Sequence, residues 1–238
     1  YLRAFLFGRM AWARLDGLLL ISGAFGMFDK QIAIQAGGYD HNTVGEDMEL
    51  VMRMRRYMIE KKQKYTVLFI PDPLCWTEAP DNFLTLKKQR SRWTRGTMES
   101  LWAHRVMCLN PKYKVLGMLS FPYWLVFEYL APLVEFFGLI ITLLFLMFGF
   151  ISLKFCCLLL LFGYSFAILV STMALLTEEF TFHQYPKLKD YFKLLWAALI
   201  EPFYFHPFVV YCALKGNLEK IKGVKSWGEM TREGFQKK

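Results

Sequence analysis

The sequence predicts a mixed α/β segment, then an interfacial helix region, then an α-helical transmembrane bundle. Three observations predict it. Of the 238 residues, 55% are apolar and 18% aromatic, above the roughly 45–50% apolar of an average soluble domain. The excess is uneven: residues 1–112 alternate helix-like and strand-like patterns, whereas residues 115–214 hold long charge-poor runs. A basic, aromatic-rich stretch separates the two, as in a helix lying at a membrane surface. The formal net charge is +9. With the cations set beside the apolar part, lipid headgroups and nucleotide phosphates are better partners than nucleic acid.

Residues 1–20 carry apolar residues at helical spacing, with Arg3, Arg9 and Arg14 between them. Leu20 to Phe28 is an apolar run rich in small residues. It predicts a buried strand ending in a loop where Gly23 and Gly26 let a ligand approach the backbone. Residues 31–36 predict a short helix ended by Gly37-Gly38. Thr43-Val44-Gly45-Glu46 matches a capping box and predicts a helix to about residue 62. Glu49, Arg53, Arg56 and Glu60 recur on it as a solvent stripe. At about 100° per residue Asp47 points nearly opposite, on the face of Val51, Met54 and Met58.

Residues 65–70 (Tyr-Thr-Val-Leu-Phe-Ile) predict a strand stopped by Pro71 and Pro73. Asp81 is placed to cap a helix over about 82–105, which mixes Lys87, Lys88, Arg90, Arg92 and Arg95 with apolar residues. The expected domains are a cytoplasmic segment (1–80), the interfacial helix region (81–112), a transmembrane region (113–214) and a basic tail (215–238). Residues 155–176 carry no charge, enough to span a ~30 Å hydrocarbon core. The positive-inside rule puts the basic tail in the cytoplasm. With a cytoplasmic first half, the crossings are then even in number, and 115–150 supplies two passes broken near Pro132. Three crossings with the tail outside is the other arrangement. The five cysteines form no CxxC pair and read as reduced packing residues.

Three constellations carry chemistry, each with a plainer alternative. Asp47 is either a first-turn acid serving backbone donors or, with Glu46 taking the cap, a general base that takes a sugar hydroxyl's proton. Gln89, Arg92 and Trp93 stand at i, i+3, i+4 and share one helix face. That face is either a basic interfacial surface or a ligand face, with an amide, a guanidinium for diphosphate oxygens and an indole for a sugar ring. Ser22, Gly23 and Ala24 are either a plain strand end or a loop against a ligand. His206, between Pro202 and Pro207 in an apolar run, either packs or lines a polar path. No P-loop, Ser/His/Asp arrangement, heptad repeat or metal-ligand His spacing is present.

The order of these motifs is more telling than any one. Ser22-Gly23-Ala24-Phe25-Gly26 is followed by Gly37-Gly38-Tyr39-Asp40, Gly45-Glu46-Asp47, Thr77-Glu78-Ala79-Pro80, Gln89-x-x-Arg92-Trp93 and then the apolar helices. This resembles the C-terminal half of a family 2 glycosyltransferase, in the branch of poly-N-acetylglucosamine, cellulose and hyaluronan synthases. The closing Lys225-Ser226-Trp227-Gly228-Glu229-Met230-Thr231-Arg232-Glu233-Gly234-Phe235 run is similar to the tail of poly-N-acetylglucosamine synthase-like proteins. The resemblance implies a GT-A-like α/β partial domain on the cytoplasmic face of the cell (inner) membrane. It implies Asp47 as general base of a T-E-D element, Glu46 beside it, Gln89, Arg92 and Trp93 on the acceptor and diphosphate side, and Ser22 to Gly26 against the acceptor sugar. It implies inverting transfer from a UDP-sugar to a growing glycan, with export. The partners implied are the donor, the glycan acceptor, membrane lipids and a small accessory membrane subunit.

Two departures stand out. The triplet is G-E-D, with Gly45 where the family has Thr, and no D-x-D occurs. The resemblance therefore implies Mg²⁺ or Mn²⁺ whose ligands lie upstream of Tyr1, and a fragment that alone does not turn over a UDP-sugar. A single-sugar transferase to lipid and a catalytically incomplete membrane scaffold are the rival readings.

Overall fold

The computed structural model describes residues 2–21, 23, 25–72, 74–75, 77–182, 185 and 187–224. They fall into two compact units: Trp12–Leu130 with Tyr211–Lys238, and Tyr1–Ala11 with Ala131–Val210. The helices are α1 (Gly8–Arg14), α2 (Lys30–Gln35), α3 (Glu46–Glu60) and α4 (Phe83–Ala103), followed by α5 (Leu116–Met147), α6 (Leu153–Thr181) and α7 (Leu188–Ile221). A π-type turn, Leu2–Phe7, precedes α1.

In the first unit, α3 and α4 pack on each other. Met48 and Met52 of α3 form the core with Leu101 of α4, Leu19, Met107, Tyr113 and the start of α5 at Leu116, Phe121 and Trp124. Burying such side chains gains about 1.5–3 kcal/mol each before entropy is counted. α2 ends as expected: Gly37 (φ 103°) and Gly38 (φ 67°) take the left-handed conformation, and Gly38 N–H reaches Ala33 O at 2.8 Å.

Several expectations are corrected here. No strand forms among the described residues. Leu18 and Leu19 are buried, but Arg55 takes the place of a neighbouring strand. Its Nη1 donates to Leu18 O at 2.6 Å and its Nη2 to Asp16 O at 2.8 Å. Beyond Leu20 the chain turns irregularly, with Phe25 and Met27 exposed. Residues 65–70 show the exposed–half-buried alternation of a strand, yet among the described residues no backbone hydrogen bond pairs them with another segment. A strand needs that ladder.

The capping box does not form. Gly45 is the N-cap of α3 without a side-chain cap bond, because the Thr43 hydroxyl is turned to Glu99 of α4. Glu46 is the first helical residue rather than the cap partner. The solvent stripe is interrupted: Glu49 is buried, paired with His104 and Arg53. Asn82, not Asp81, caps α4, accepting from Thr85 N at 2.9 Å.

In the second unit, α6 packs against the Leu2–Phe7 turn and against the later part of α5. Tyr164 Oη donates to Leu199 O at 3.2 Å, and its ring lies 4.7 Å from that of Phe203. His206 Nε2 meets Glu135 Oε2 at 2.6 Å.

Helices α5, α6 and α7 are long and apolar enough to cross a membrane. At ~1.5 Å per residue, the 32 residues of α5 exceed a ~30 Å core. The break expected near Pro132 is absent: α5 is one helical run. A proline lacks the N–H and crowds the carbonyl four residues back. Here π-type turns at Leu116–Ser120 and Trp124–Leu130 precede Pro122 and Pro132, where the wider backbone relieves that crowding. α7 runs on to Ile221, so Lys215 and Lys220 belong to its last turns rather than to a separate tail.

Candidate active site around Asp47

Asp47 stands in the first turn of α3, half-buried, and its two oxygens have different surroundings. Oδ1 accepts from Met48 N at 2.8 Å, which serves the helix start. Oδ2 faces Gly23: a Cβ built there would come within 2.6 Å of it. A side chain at position 23 would have to push the Asp47 carboxylate aside. One oxygen thus serves the helix start while the other faces the loop at Gly23. The inward aim expected from helix geometry is observed.

Around Oδ2 lies a cavity of about 230 Å³, lined by Ile21, Gly23, Phe25, Gly26, Phe28, Tyr39 and Asp47. It is smaller than the roughly 300–1,000 Å³ of drug-sized sites, so it holds one small group rather than an extended chain. Three aromatic walls and one acid suit the apolar face and the hydroxyl of a sugar. Ser22 and Ala24 lie outside the described residues.

Gln89, Arg92 and Trp93 do not line this cavity. They are half-buried on α4 and share one face, as their spacing predicts. The Arg90 guanidinium stacks 4.6 Å over the Trp93 ring, so one ring face already meets a cation. α4 is nonetheless held tightly to the Asp47 turn. A Cβ on Gly45 would come within 2.7 Å of Gly96 Cα, and a Cβ on Gly96 within 2.7 Å of Gly45 Cα. Two backbones touch there without side chains between them. This gives a physical reason for the glycine that departs from the T-E-D pattern.

Behind the site, Glu49 ties α2, α3 and α4 together. It accepts from Arg53 Nε at 2.9 Å and from His104 Nε2 at 3.1 Å. A carboxylate only accepts, so Nε2 carries the hydrogen. Arg53 also donates to Ala36 O at the end of α2. Burial alone would raise the Glu49 pKa, but the hydrogen bonds from His104 and Arg53 outweigh it and hold it below the usual carboxylate value. Glu99 behaves alike: burial raises it, and bonds from Lys220, Val44 and Thr43 bring it below its ordinary value.

Comparison with known proteins gives the family. Residues 3–175 match glycosyl transferase family group 2. The chain belongs to that family. Among the relatives of this glycosyl transferase is a poly-beta-1,6-N-acetyl-D-glucosamine synthase of Staphylococcus aureus (strain COL). It is 28% identical over 101 residues, 42% of this chain and 23% of the relative. The protein of that name from Staphylococcus epidermidis is 30% identical over 113 residues, 48% of this chain and 24% of the relative. The matches thus span about a quarter of the length of these curated relatives. No solved structure matches.

The sequence analysis does not single out Glu99 or Gly96. Glu99 left a signal: it is the lone acid on an otherwise basic helix. Among the described residues no three His, Cys, Asp or Glu side chains gather to hold a metal ion. The tail motif at 225–235 lies outside the described residues.

Proposed function

We propose that this glycosyl transferase extends a β-linked polysaccharide by inverting transfer from a UDP-sugar, with Asp47 as general base. One observation carries the reading: Asp47 directs an oxygen into an aromatic-lined cavity, on a turn pressed against the helix that bears Gln89, Arg92 and Trp93. Asp47 takes the proton of an acceptor hydroxyl while that oxygen attacks the sugar's anomeric carbon and the diphosphate leaves. Arg92 supplies a fork for the departing diphosphate, and Gln89 a hydrogen bond to a hydroxyl or phosphate. Trp93 supplies an indole as a platform for the acceptor. The names of the staphylococcal relatives favour N-acetylglucosamine as the transferred sugar. Export follows α5, α6 and α7, with the catalytic part on the cytoplasmic side and an accessory membrane subunit as a further partner.

The test uses the full-length protein in membrane vesicles, with UDP release and product size followed over a panel of UDP-sugars. Asp47→Asn is expected to lower the rate on the order of 10²–10⁴-fold. Equal rates for the two proteins would remove the base assignment. A single-sugar adduct in place of polymer would favour transfer to a lipid. No UDP release from any donor would favour a scaffold.

A further inference from the structure

Glu99 divides its carboxylate between two parts of the first unit. Oε2 accepts from the Thr43 hydroxyl at 2.8 Å and from Val44 N at 2.9 Å. Oε1 accepts from Lys220 Nζ at 2.5 Å, in the last turn of α7. The Glu99 side chain is 12% exposed and that of Lys220 36%, so the bonds to Thr43 and Val44 are the better covered. Thr43 passes the constraint on, its Oγ1 accepting from Gly45 N at 3.1 Å. Gly45 O in turn accepts the first helical bond of α3, from Glu49 N. Asp47 lies two residues beyond Gly45.

Glu99 also sits where it can set the distance between the two halves of the candidate site. Arg92, Gly96 and Glu99 stand at i, i+4, i+7, one stripe along α4. Gly96 and Glu99 are the members of that stripe that touch residues 43–45. The Asp47 turn is therefore fixed over the stripe that also bears Arg92. One contact, Gly45 on Gly96, sets how close it comes. The other, Glu99 on Thr43 and Val44, sets where along the helix it rests.

We propose that Glu99 is the positioning residue for Asp47, and that Lys220 of α7 holds the Glu99 carboxylate in place. This rests on the reading of Asp47 as the base. A base works within hydrogen-bond reach of the hydroxyl it deprotonates, about 2.6–3.2 Å from oxygen to oxygen, and a misplacement of about 1 Å costs on the order of 10²-fold.

The experiment measures kcat and donor KM for UDP release by the full-length protein in membranes, with UDP-N-acetylglucosamine as the probe. Glu99→Ala is expected to lower kcat about 10- to 100-fold with donor KM within about twofold, since orientation is lost and donor contacts are not. Glu99→Gln, whose amide oxygen still accepts from Thr43 and Val44, is expected to recover most of that kcat. Lys220→Met is expected to lower kcat only about threefold, because the bonds to Thr43 and Val44 remain. An unchanged kcat in Glu99→Ala overturns the proposal. So does a Glu99→Gln no better than Glu99→Ala, or a loss that appears in donor KM alone. Should Glu99→Ala fail to reach the membrane, Thr43→Val decides: it removes one of the two bonds, and an unchanged kcat there is equally fatal. Asp47→Asn is run alongside. If it keeps wild-type activity, the base reading fails and Glu99 falls with it. If Asp47→Asn is inactive and Glu99→Ala is normal, only the positioning role is lost.

Discussion

Helix α3 buries two charges, Glu49 and Arg55, whereas α5 leaves Val134, Phe137, Leu144 and Phe145 exposed. In water the α3 arrangement holds because those charges have partners. Arg55 donates to two carbonyls, to the Asp16 carboxylate and to the Tyr65 hydroxyl, and Glu49 accepts from Arg53 and His104. A buried charge so matched escapes most of its desolvation cost. Beyond Glu135, α5 carries no charge, and no part of its most apolar window is buried in protein. Such a helix suits lipid, where exposure of Phe and Leu costs nothing. The difference teaches that burial follows the solvent as much as the side chain.

The sharpest break of that comparison is at matched apolar sites. Met52→Ala, at a fully buried position, is expected to cost about 2–5 kcal/mol. Leu144→Ala, 44% exposed, should stay within roughly 0.5 kcal/mol of wild type. Thermal unfolding in detergent reads both, and equal losses would mean that α5 is packed against protein. A charge tests the lipid side directly: Leu144→Asp should cost about 3 kcal/mol in a membrane-insertion assay, and free insertion would place α5 in water. Gly45→Ala is smaller, at about 1–3 kcal/mol, because the new Cβ meets Gly96 backbone rather than a side chain that can swing away.

The smallest expected effect is in pH. The Glu49 and Glu99 pKa values are lowered on folding. Their stabilisation is therefore full above the unfolded carboxylate value, near 4.5, and is lost as pH falls through the lowered folded values. The unfolding temperature should decline over that acid range. Glu49→Gln should be less stable at neutral pH and show a flatter acid limb.

The sequence made some of this legible and not the rest. Helices α3, α4 and α6 follow from period, charge and length, all local properties. The inward aim of Asp47 followed from helix rotation alone. Glu49 was misplaced on the solvent stripe because its partner, His104, is 55 residues away. Thr43 does not cap because its hydroxyl is taken by Glu99, 56 residues away. Residues 65–70 show strand alternation, but a ladder is a property of pairs of segments and no window of one strand contains it. Gly23 and Gly45 were visible as glycines; what each one touches was not.

The contact between Gly45 and Gly96 has a genetic consequence. Most core clashes can be relieved by trimming the opposing residue. Here the opposing residue is already the smallest one, with no atom left to remove. A suppressor of Gly45→Ala will therefore not be found at position 96. It has to arise where the helices are seated, at the loop before α3 or along α4, by moving a whole segment.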